Sequence, residues 1–356
     1  MTQRTYEQGS RTAGSDRAVA AWLLLCCTLV LVMVVVGGIT RLTHSGLSIV
    51  EWAPIVGTLP PLNEQQWLET FAKYQQTPEY KLVNHAMTVD DFKGIFWWEY
   101  IHRLLGRGIG LVFLFPLIWF VARRRVDPAL GWRLAGIFVL GGLQGAMGWY
   151  MVKSGLVDDP RVSQFRLTAH LGLAFLIAAA MFWVALGLLY PRGAAPVAAR
   201  ARRAPRTLAT WVAAIAAYMV LTGGLVAGIR AGYAYNTFPL MNGHWIPPEI
   251  LMLEPWWKNP FYNMATVQFD HRIGAWALAF LGPWLWLRAR AAQPGSRASA
   301  SAAVLVAALA LQIALGIATL LTGVKIVPLA VAHQGCALLV LLAALATRHA
   351  LREERA

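Results

Sequence analysis

The sequence predicts an all-α integral membrane protein with eight transmembrane helices, arranged as two pseudo-repeated four-helix bundles. Apolar residues make up 58% of the chain and charged residues only 13%, a balance typical of proteins that lie in lipid. Eight apolar stretches are long enough to cross a bilayer, and motifs from the first half of the chain recur in the second. These observations exclude a soluble domain built around one hydrophobic core.

The membrane-crossing stretches divide the chain into two halves. A helix rises about 1.5 Å per residue, so about 20 residues cross the roughly 30 Å hydrocarbon layer. The eight stretches are residues 19–38, 95–121, 131–152, 166–190, 208–229, 266–287, 301–322 and 327–347. They define an N-terminal tail at 1–18, a first half at 19–190, a linker at 191–207, a second half at 208–347 and a C-terminal tail at 348–356.

Two of the connections are long. The first, at residues 39–94, is polar and rich in Trp, Pro and Gly, and short helices are expected within 63–75. The matching connection in the second half spans residues 230–265. Loops of this length are usually functional, so both are expected to cover a site.

The distribution of charge predicts the orientation in the membrane. The net charge is +14, and arginines crowd the two tails, residues 123–125 and the linkers at 192–206 and 288–297. With eight crossings these segments share one side, which the positive-inside rule identifies as the cytoplasm. Both termini are therefore predicted to be cytoplasmic, in the inner membrane of a bacterium. Topology and attraction to anionic lipid account for the basic charge, so nucleic acid is not an expected partner.

Motifs recur in the same order in the two halves. VVGGITRLTHSG at 35–46 matches LTGGLVAGIRAG at 221–232, and TAHLGLAFL at 168–176 matches VAHQGCALL at 331–339. Three single residues recur at one offset, because Gln144, Gly148 and Gly155 reappear as Gln312, Gly316 and Gly323. Each half begins inside and has an even number of helices, which predicts a parallel repeat about an axis normal to the membrane.

Four histidines occupy matching places in these halves. His102 and His170 lie near the starts of the second and fourth apolar stretches, and His271 and His333 near the starts of the sixth and eighth. In the predicted topology all four lie near the periplasmic face, in two pairs. Ionisable side chains in membrane helices usually have a function, and paired imidazoles suit the axial ligation of two haem irons. The alternatives are hydrogen bonds between helices, or another metal, although zinc and non-haem iron sites generally add a carboxylate or a cysteine.

The residues that flank the histidines differ between the halves. Glu99 lies three residues before the first histidine and on the same helix face, whereas Gln268 holds this place in the second half. A carboxylate at one site alone predicts chemistry in the first half and electron transfer in the second. Arg103 and Arg272 directly follow histidines and are candidate contacts for haem propionates. The alternatives are a glutamate that faces water and arginines that reach the lipid surface.

Two further functions are compatible with two haem sites. A dihaem cytochrome would carry electrons between quinol and another carrier, but transfer across the membrane generally needs centres near both faces. A haem transporter or chaperone would release its haem unchanged and would not need Glu99.

Several segments resemble the haem A synthase family, over nearly the whole chain. They are GGITRLTHSGLSIVEWAPIVGTLPPLNEQQW (37–67), TPEY (77–80), FKGIFWWEYIHRLLGR (92–107), FPLMNGHWIPPE (238–249), DHRIGAW (270–276) and AHQG (332–335). The resemblance implies oxidation of the C8 methyl group of haem O to the formyl group of haem A by successive hydroxylations, for terminal oxidase assembly. Haem O synthase and oxidase assembly factors are the implied partners, and a homo-oligomer is left open.

The resemblance also implies a role for each candidate residue. His102 and His170 would hold the iron of the substrate haem O, with Glu99 as the catalytic carboxylate. His271 and His333 would hold a haem b cofactor.

Some family members have a cysteine pair in the first external loop. Here Cys26 and Cys27 lie in the first apolar stretch and Cys336 in the last, so no loop disulfide is available. The chain thus resembles the branch without loop cysteines, which is found in many proteobacteria and in mitochondria.

Overall fold

The protein is helical throughout the part that the structure describes. This computed structural model describes residues 2–52, 56–156, 162–191, 199–292 and 295–352. The helices are α1 (Thr2–Leu42), α2 (Glu64–Gln75), α3 (Pro78–Leu82), α4 (Val89–Ala122), α5 (Pro128–Gly155), α6 (Gln164–Leu189), α7 (Ala199–Gly228), α8 (Asn259–Tyr262), α9 (Met264–Ala292), α10 (Arg297–Leu321) and α11 (Val327–Ala350). No β-strand occurs within these ranges, so the predicted all-α class is confirmed.

Seven helices in the described ranges are long and apolar enough to cross a membrane. They are α1 from Gly14, α4, α5, α6, α7 from Arg203, α10 and α11. The eighth predicted stretch forms α9, which has 29 residues but is less apolar. Asp270 and Arg272 near its start and Arg288 near its end leave a shorter uninterrupted apolar stretch between them.

Several helices begin earlier than hydropathy predicts, and a capping box accounts for the early start of α4. In α4, the Asp91 amide donates to Thr88 Oγ1 and the Thr88 amide donates to the Asp91 carboxylate, which places the start at Val89 rather than at 95. Helix α1 begins at Thr2 and α7 at Ala199, inside the predicted linker. Residues 192–198 of that linker and 353–356 of the C-terminal tail lie outside the described residues.

Four helices form the centre of the molecule. Helix α1 packs on α6 and α11, and α7 packs on the same two helices. Helices α4 and α5 lie outside α1 and α6, and α9 and α10 lie outside α7 and α11. The outer helices expose large apolar side chains, among them Phe115, Val139, Phe280 and Val304. Such a surface is stable in lipid but not in water.

Two glycines let helices from distant parts of the chain approach closely. A Cβ built on Gly38 of α1 would lie 3.3 Å from Gln334 Nε2 of α11, and one on Gly224 of α7 would lie 2.7 Å from Thr168 Oγ1 of α6. Gln334 also donates to the Val34 carbonyl of α1 at 2.9 Å. Small residues at helix crossings allow close backbone packing in membranes, so these contacts hold α1 to α11 and α7 to α6.

The first long connection folds against the start of α4. Asn63 caps the start of α2, where its side chain accepts a hydrogen bond from the Gln66 amide, and this helix confirms the helix predicted within 63–75. Tyr74 of α2 stacks on Phe92 of α4, with ring centroids 5.1 Å apart. Both side chains are fully buried, so the connection is an ordered cap on α4.

Candidate functional site

The four predicted ligands lie at one end of the helices, beside the long connections. His102 and His170 form the first pair, on α4 and α6, and His271 and His333 form the second pair, on α9 and α11. Within each pair the two histidines are close enough for their charges to interact. The structure thus brings together the partners that the sequence predicts, and all four rings are half-buried.

Each histidine ring lies against a glycine on a neighbouring helix. A Cβ on these glycines would lie between 2.7 and 3.2 Å from the ring Cε1 atom. The contacts are Gly37 with His102, Gly148 with His170, Gly223 with His271 and Gly316 with His333. A bulky residue there would move the imidazole, so the glycines set the ring positions. The repeated glycines at 148 and 316 were the sequence signal for this arrangement.

Replacing Gly316 by alanine is expected to weaken haem retention by the second pair about tenfold or more, since overpacking costs about 1–3 kcal/mol. The new Cβ would lie 2.7 Å from His333 Cε1, so the ring must shift. The measurement is haem content per purified protein by absorbance. Gly136→Ala is the control, because a Cβ there meets nothing within 4 Å. Equal haem content in both variants would contradict this role.

The second pair has fixed ring orientations. Thr222 Oγ1 lies 2.9 Å from His271 Nδ1. The carbonyl of Gln312 lies 3.1 Å from His333 Nδ1. Because both Nδ1 atoms are occupied, the Nε2 atoms are the ones left to bind a metal.

The first pair lacks such contacts. Neither His102 Nδ1 nor His170 Nδ1 has a hydrogen-bond partner among the described residues, although both atoms are buried. Instead, Gln144 Nε2 lies 3.3 Å from His170 Nε2 and donates to the His170 carbonyl at 3.0 Å. The two pairs therefore differ in how firmly their rings are held.

Glu99 is a fully hydrogen-bonded carboxylate one turn before His102. It is 2% exposed. Its Oε2 accepts from Ser48 Oγ (2.7 Å) and the Ile49 amide (2.8 Å). Its Oε1 accepts from Arg103 Nε and Nη2 at 3.0 and 2.6 Å. These contacts fix a negative charge beside the first pair, partly balanced by the guanidinium.

Gln268 makes the corresponding contacts in the second half without a charge. Its Nε2 donates to the Ala231 carbonyl at 2.9 Å, and its Oε1 accepts from Arg272 Nη2 at 3.0 Å. The carboxylate is thus a feature of the first pair alone, as the sequence indicates.

Arg103 holds the connection that follows α1. It donates from Nη2 to the Ile49 carbonyl at 2.8 Å and from Nη1 to the Glu51 carbonyl at 3.2 Å. The guanidinium therefore joins Glu99 to the loop.

Arg272 holds the connection that follows α7 in the same way. Its Nη2 donates to the carbonyls of Tyr235 and Thr237 at 3.1 and 2.9 Å. Both arginines thus hold a long connection against its helix by hydrogen bonds to backbone carbonyls, a role that the sequence does not indicate. The contact of either arginine with a haem propionate stays a prediction.

A second buried carboxyl group, Glu79 of α3, lies near Glu99 and was missed by sequence reasoning. It is 6% exposed, and Tyr74 donates a hydrogen bond to its Oε2 at 3.3 Å. The pKa of Glu79 is raised to about 7, mainly by burial and also by the charge of Glu99, while the hydrogen bond from Tyr74 opposes both effects. The sequence signal that could have placed Glu79 in a helix was Thr77 of the TPEY segment, which caps the start of α3.

Replacing Glu79 by glutamine is expected to remove a pH dependence of stability. The folded pKa of Glu79 is about 7, against an ordinary value of 4.5, so the folded state binds more protons between these values. Stability therefore falls as pH rises from about 4.5 to 7, by roughly 3 kcal/mol at most. In thermal unfolding in detergent from pH 5 to 8, the midpoint temperature should change less with pH for Glu79→Gln than for the wild type. The exposed Glu69→Gln should follow the wild type, and a steep Glu79→Gln curve would refute the prediction.

The residues present fit haem better than a non-haem metal. Two imidazoles per site, with iron between them, is ordinary haem ligation. Among the described residues no group of three His, Cys, Asp or Glu side chains could hold a metal ion. Cys26, Cys27 and Cys336 are buried in α1 and α11, where the sequence places them.

Comparison with known proteins gives the family. Residues 20–345 match the model of a family described as cytochrome oxidase assembly protein. The chain is 59% identical to the haem A synthase of Nitrosospira multiformis over 95% of both chains, and 54% identical to that of Nitrosomonas eutropha over 92% of both. It is 50% identical to the haem A synthase of Rhodospirillum centenum over 96% of this chain and 90% of that relative. With these matches over most of its length, the chain belongs to this cytochrome oxidase assembly family.

Proposed function

We propose that this protein is a haem A synthase, an enzyme that oxidises the C8 methyl group of haem O to a formyl group for terminal oxidase assembly. The observation that carries the proposal is the presence of two histidine pairs, only one of which has a buried carboxylate beside it. Relatives at 59%, 54% and 50% identity carry the same name. Two successive hydroxylations would give an alcohol and then a gem-diol, which loses water to the aldehyde.

The first pair is the proposed substrate site. His102 and His170 would hold the iron of haem O, and Glu99 would place negative charge near the reacting methyl group. Four hydrogen bonds to Glu99 favour electrostatic stabilisation of a cationic intermediate over proton abstraction.

The second pair is the proposed cofactor site. His271 and His333 would hold haem b, which supplies one-electron transfer when bound. The occupied Nδ1 atoms support this assignment, because both rings are prepared to bind iron through Nε2.

The proposed topology has eight crossings, with α9 as the eighth. Helix α9 pairs with α7 as α4 pairs with α1, and α10 pairs with α11 as α5 pairs with α6. These pairings support two four-helix halves, 19–190 and 208–347, with the linker 191–207 and the tails 1–18 and 348–356 in the cytoplasm. The first periplasmic loop would be 39–94, and the membrane would be the inner membrane of a bacterium.

The proposed partners follow from the substrate. Haem O is poorly soluble in water, so direct transfer from haem O synthase and onward to oxidase assembly factors is expected. The absence of cysteine from the first loop supports membership of the branch without loop cysteines.

Identification of the bound haems tests the proposed function. The full-length protein would be produced with a haem O synthase, purified in detergent and extracted with acid, and its haems separated by chromatography and mass. Haem b together with haem O, its hydroxylated form or haem A is expected. Haem b alone, from cells shown to contain haem O, would favour an electron carrier. A protein without haem would overturn the ligand assignment.

A further inference from the structure

We propose that Thr222 is a positioning residue that makes the second pair a retaining site, and that valine at the matching position, Val36, makes the first pair an exchanging site. This inference rests on the proposed function. It concerns the outer contacts of the imidazoles, which determine how firmly a haem is held, and it explains how one chain keeps one haem and releases another.

Thr222 fixes the tautomer of His271. The Thr222 side chain is 4% exposed, and its hydroxyl donates to the Met219 carbonyl at 3.2 Å. Its oxygen is then available to accept a hydrogen bond from His271 Nδ1, 2.9 Å away. With the proton on Nδ1, the Nε2 lone pair is free for iron.

His333 is held in the same tautomer by the backbone. A carbonyl oxygen can only accept, so the 3.1 Å contact between His333 Nδ1 and the Gln312 carbonyl requires a proton on Nδ1. Both ligands of the second pair therefore present Nε2 in a fixed orientation before any haem binds, which lowers the cost of binding.

In the first pair, His102 has no such contact with helix α1. Val36 occupies the place that matches Thr222, since VVGG at 35–38 parallels LTGG at 221–224. Valine cannot accept a hydrogen bond, and His102 Nδ1 is buried without a partner in the described part of the chain. Packing alone, without a hydrogen bond to Nδ1 from the described residues, therefore orients this ring, and its ligation is weaker.

His170 is obstructed as well as unanchored. Its Nδ1 has no partner among the described residues, and the Gln144 amide group lies 3.3 Å from its Nε2. The Gln144 nitrogen also donates to the His170 carbonyl, which places its NH₂ group, not its oxygen, beside the ring. A haem that binds His170 must displace the Gln144 amide from Nε2, and the amide returns to Nε2 when the haem leaves. Such competition suits a site from which the product leaves.

The experiment compares Thr222→Val, Thr222→Ser and Val36→Thr in the full-length protein purified with its haems. Haem loss to excess apomyoglobin is followed over time, and the midpoint potential of the retained haem is titrated. Thr222→Val should lose haem b about 10–100-fold more readily, the usual effect of removing an outer contact to a metal-bound histidine. Its midpoint potential should rise, because the less basic imidazole stabilises ferric iron less. Thr222→Ser should restore both values, and Val36→Thr should slow haem release from the first pair.

Two results would overturn the inference. One is a Thr222→Val protein with wild-type haem b retention and potential. The other is a Thr222→Ser protein as defective as Thr222→Val, which would indicate packing of the γ-methyl group instead of the hydroxyl. Haem identity separates this failure from that of the proposed function, because a protein that yields haem A but is insensitive at Thr222 remains a haem A synthase.

Discussion

Replacing Glu99 by glutamine is expected to lower haem A production about 10²–10³-fold, the usual effect of removing one preorganised electrostatic contact from an active site. The amide keeps an oxygen for Arg103, as Gln268 does for Arg272. It removes the negative charge and leaves the Ile49 amide without its acceptor. Haem binding by all four histidines should persist, so haem O should accumulate while haem b content stays at the wild-type level.

The measurement is the ratio of haem A to haem O extracted from cells and from purified protein. Loss of the Ile49 contact costs about 1–3 kcal/mol, so thermal unfolding is measured alongside to separate instability from loss of chemistry. Glu79→Gln is the matched control, since Glu79 is a second buried carboxyl group in the same cap and should leave haem A production within about twofold. Undiminished haem A in Glu99→Gln would refute the catalytic role.

Alanine at His271 or His333 is expected to remove haem b from the purified protein, because the proposed haem would lose one of its two histidine ligands. Alanine at His102 or His170 should instead leave haem b in place and abolish haem O binding. The measurement is the haem composition of each variant by acid extraction, with the absorbance spectrum as a check.

The control for these variants is His244→Ala. His244 is an exposed histidine of the second connection, so its loss should change neither haem. Haem b that remains in both His271→Ala and His333→Ala would contradict the ligand assignment. Loss of haem b from the first-pair variants alone would exchange the roles of the two sites.

Hydropathy and motif repetition are sufficient to predict the long helices and the pairing of the histidines. They place the start of α4 too late, because the capping box of Thr88 and Asp91 extends the helix into polar sequence. They also predict an eighth crossing at 266–287, whereas α9 is not among the seven candidate spans of the described residues, since Asp270, Arg272 and Arg288 interrupt its apolar sequence. The charged residues on either side of His271 thus lower the mean hydropathy of the helix that carries it.

The contacts of the candidate site are less predictable. Two partners of Arg103 are backbone carbonyls about fifty residues away, and contacts to backbone groups cannot be inferred from residue identity. Thr222 resembles any other small polar residue in a membrane helix until its 2.9 Å contact with His271 is seen. Glu79 lies on a short helix of the first long connection, where a glutamate is ordinarily solvated, and only the fold buries it.

The paired glycines on α1 and α7 have a consequence for how this molecule can vary. Gly37 touches a ligand of the first pair while Gly38 touches Gln334, the neighbour of a second-pair ligand. On α7, Gly223 touches His271 of the second pair, while Gly224 touches Thr168, which lies two residues before His170 of the first pair. On each of these helices, two adjacent glycines therefore face the surroundings of the two different histidine pairs. Side chains gained at both glycines of either helix would disturb the packing around both pairs, so the arrangement of each half depends on the other.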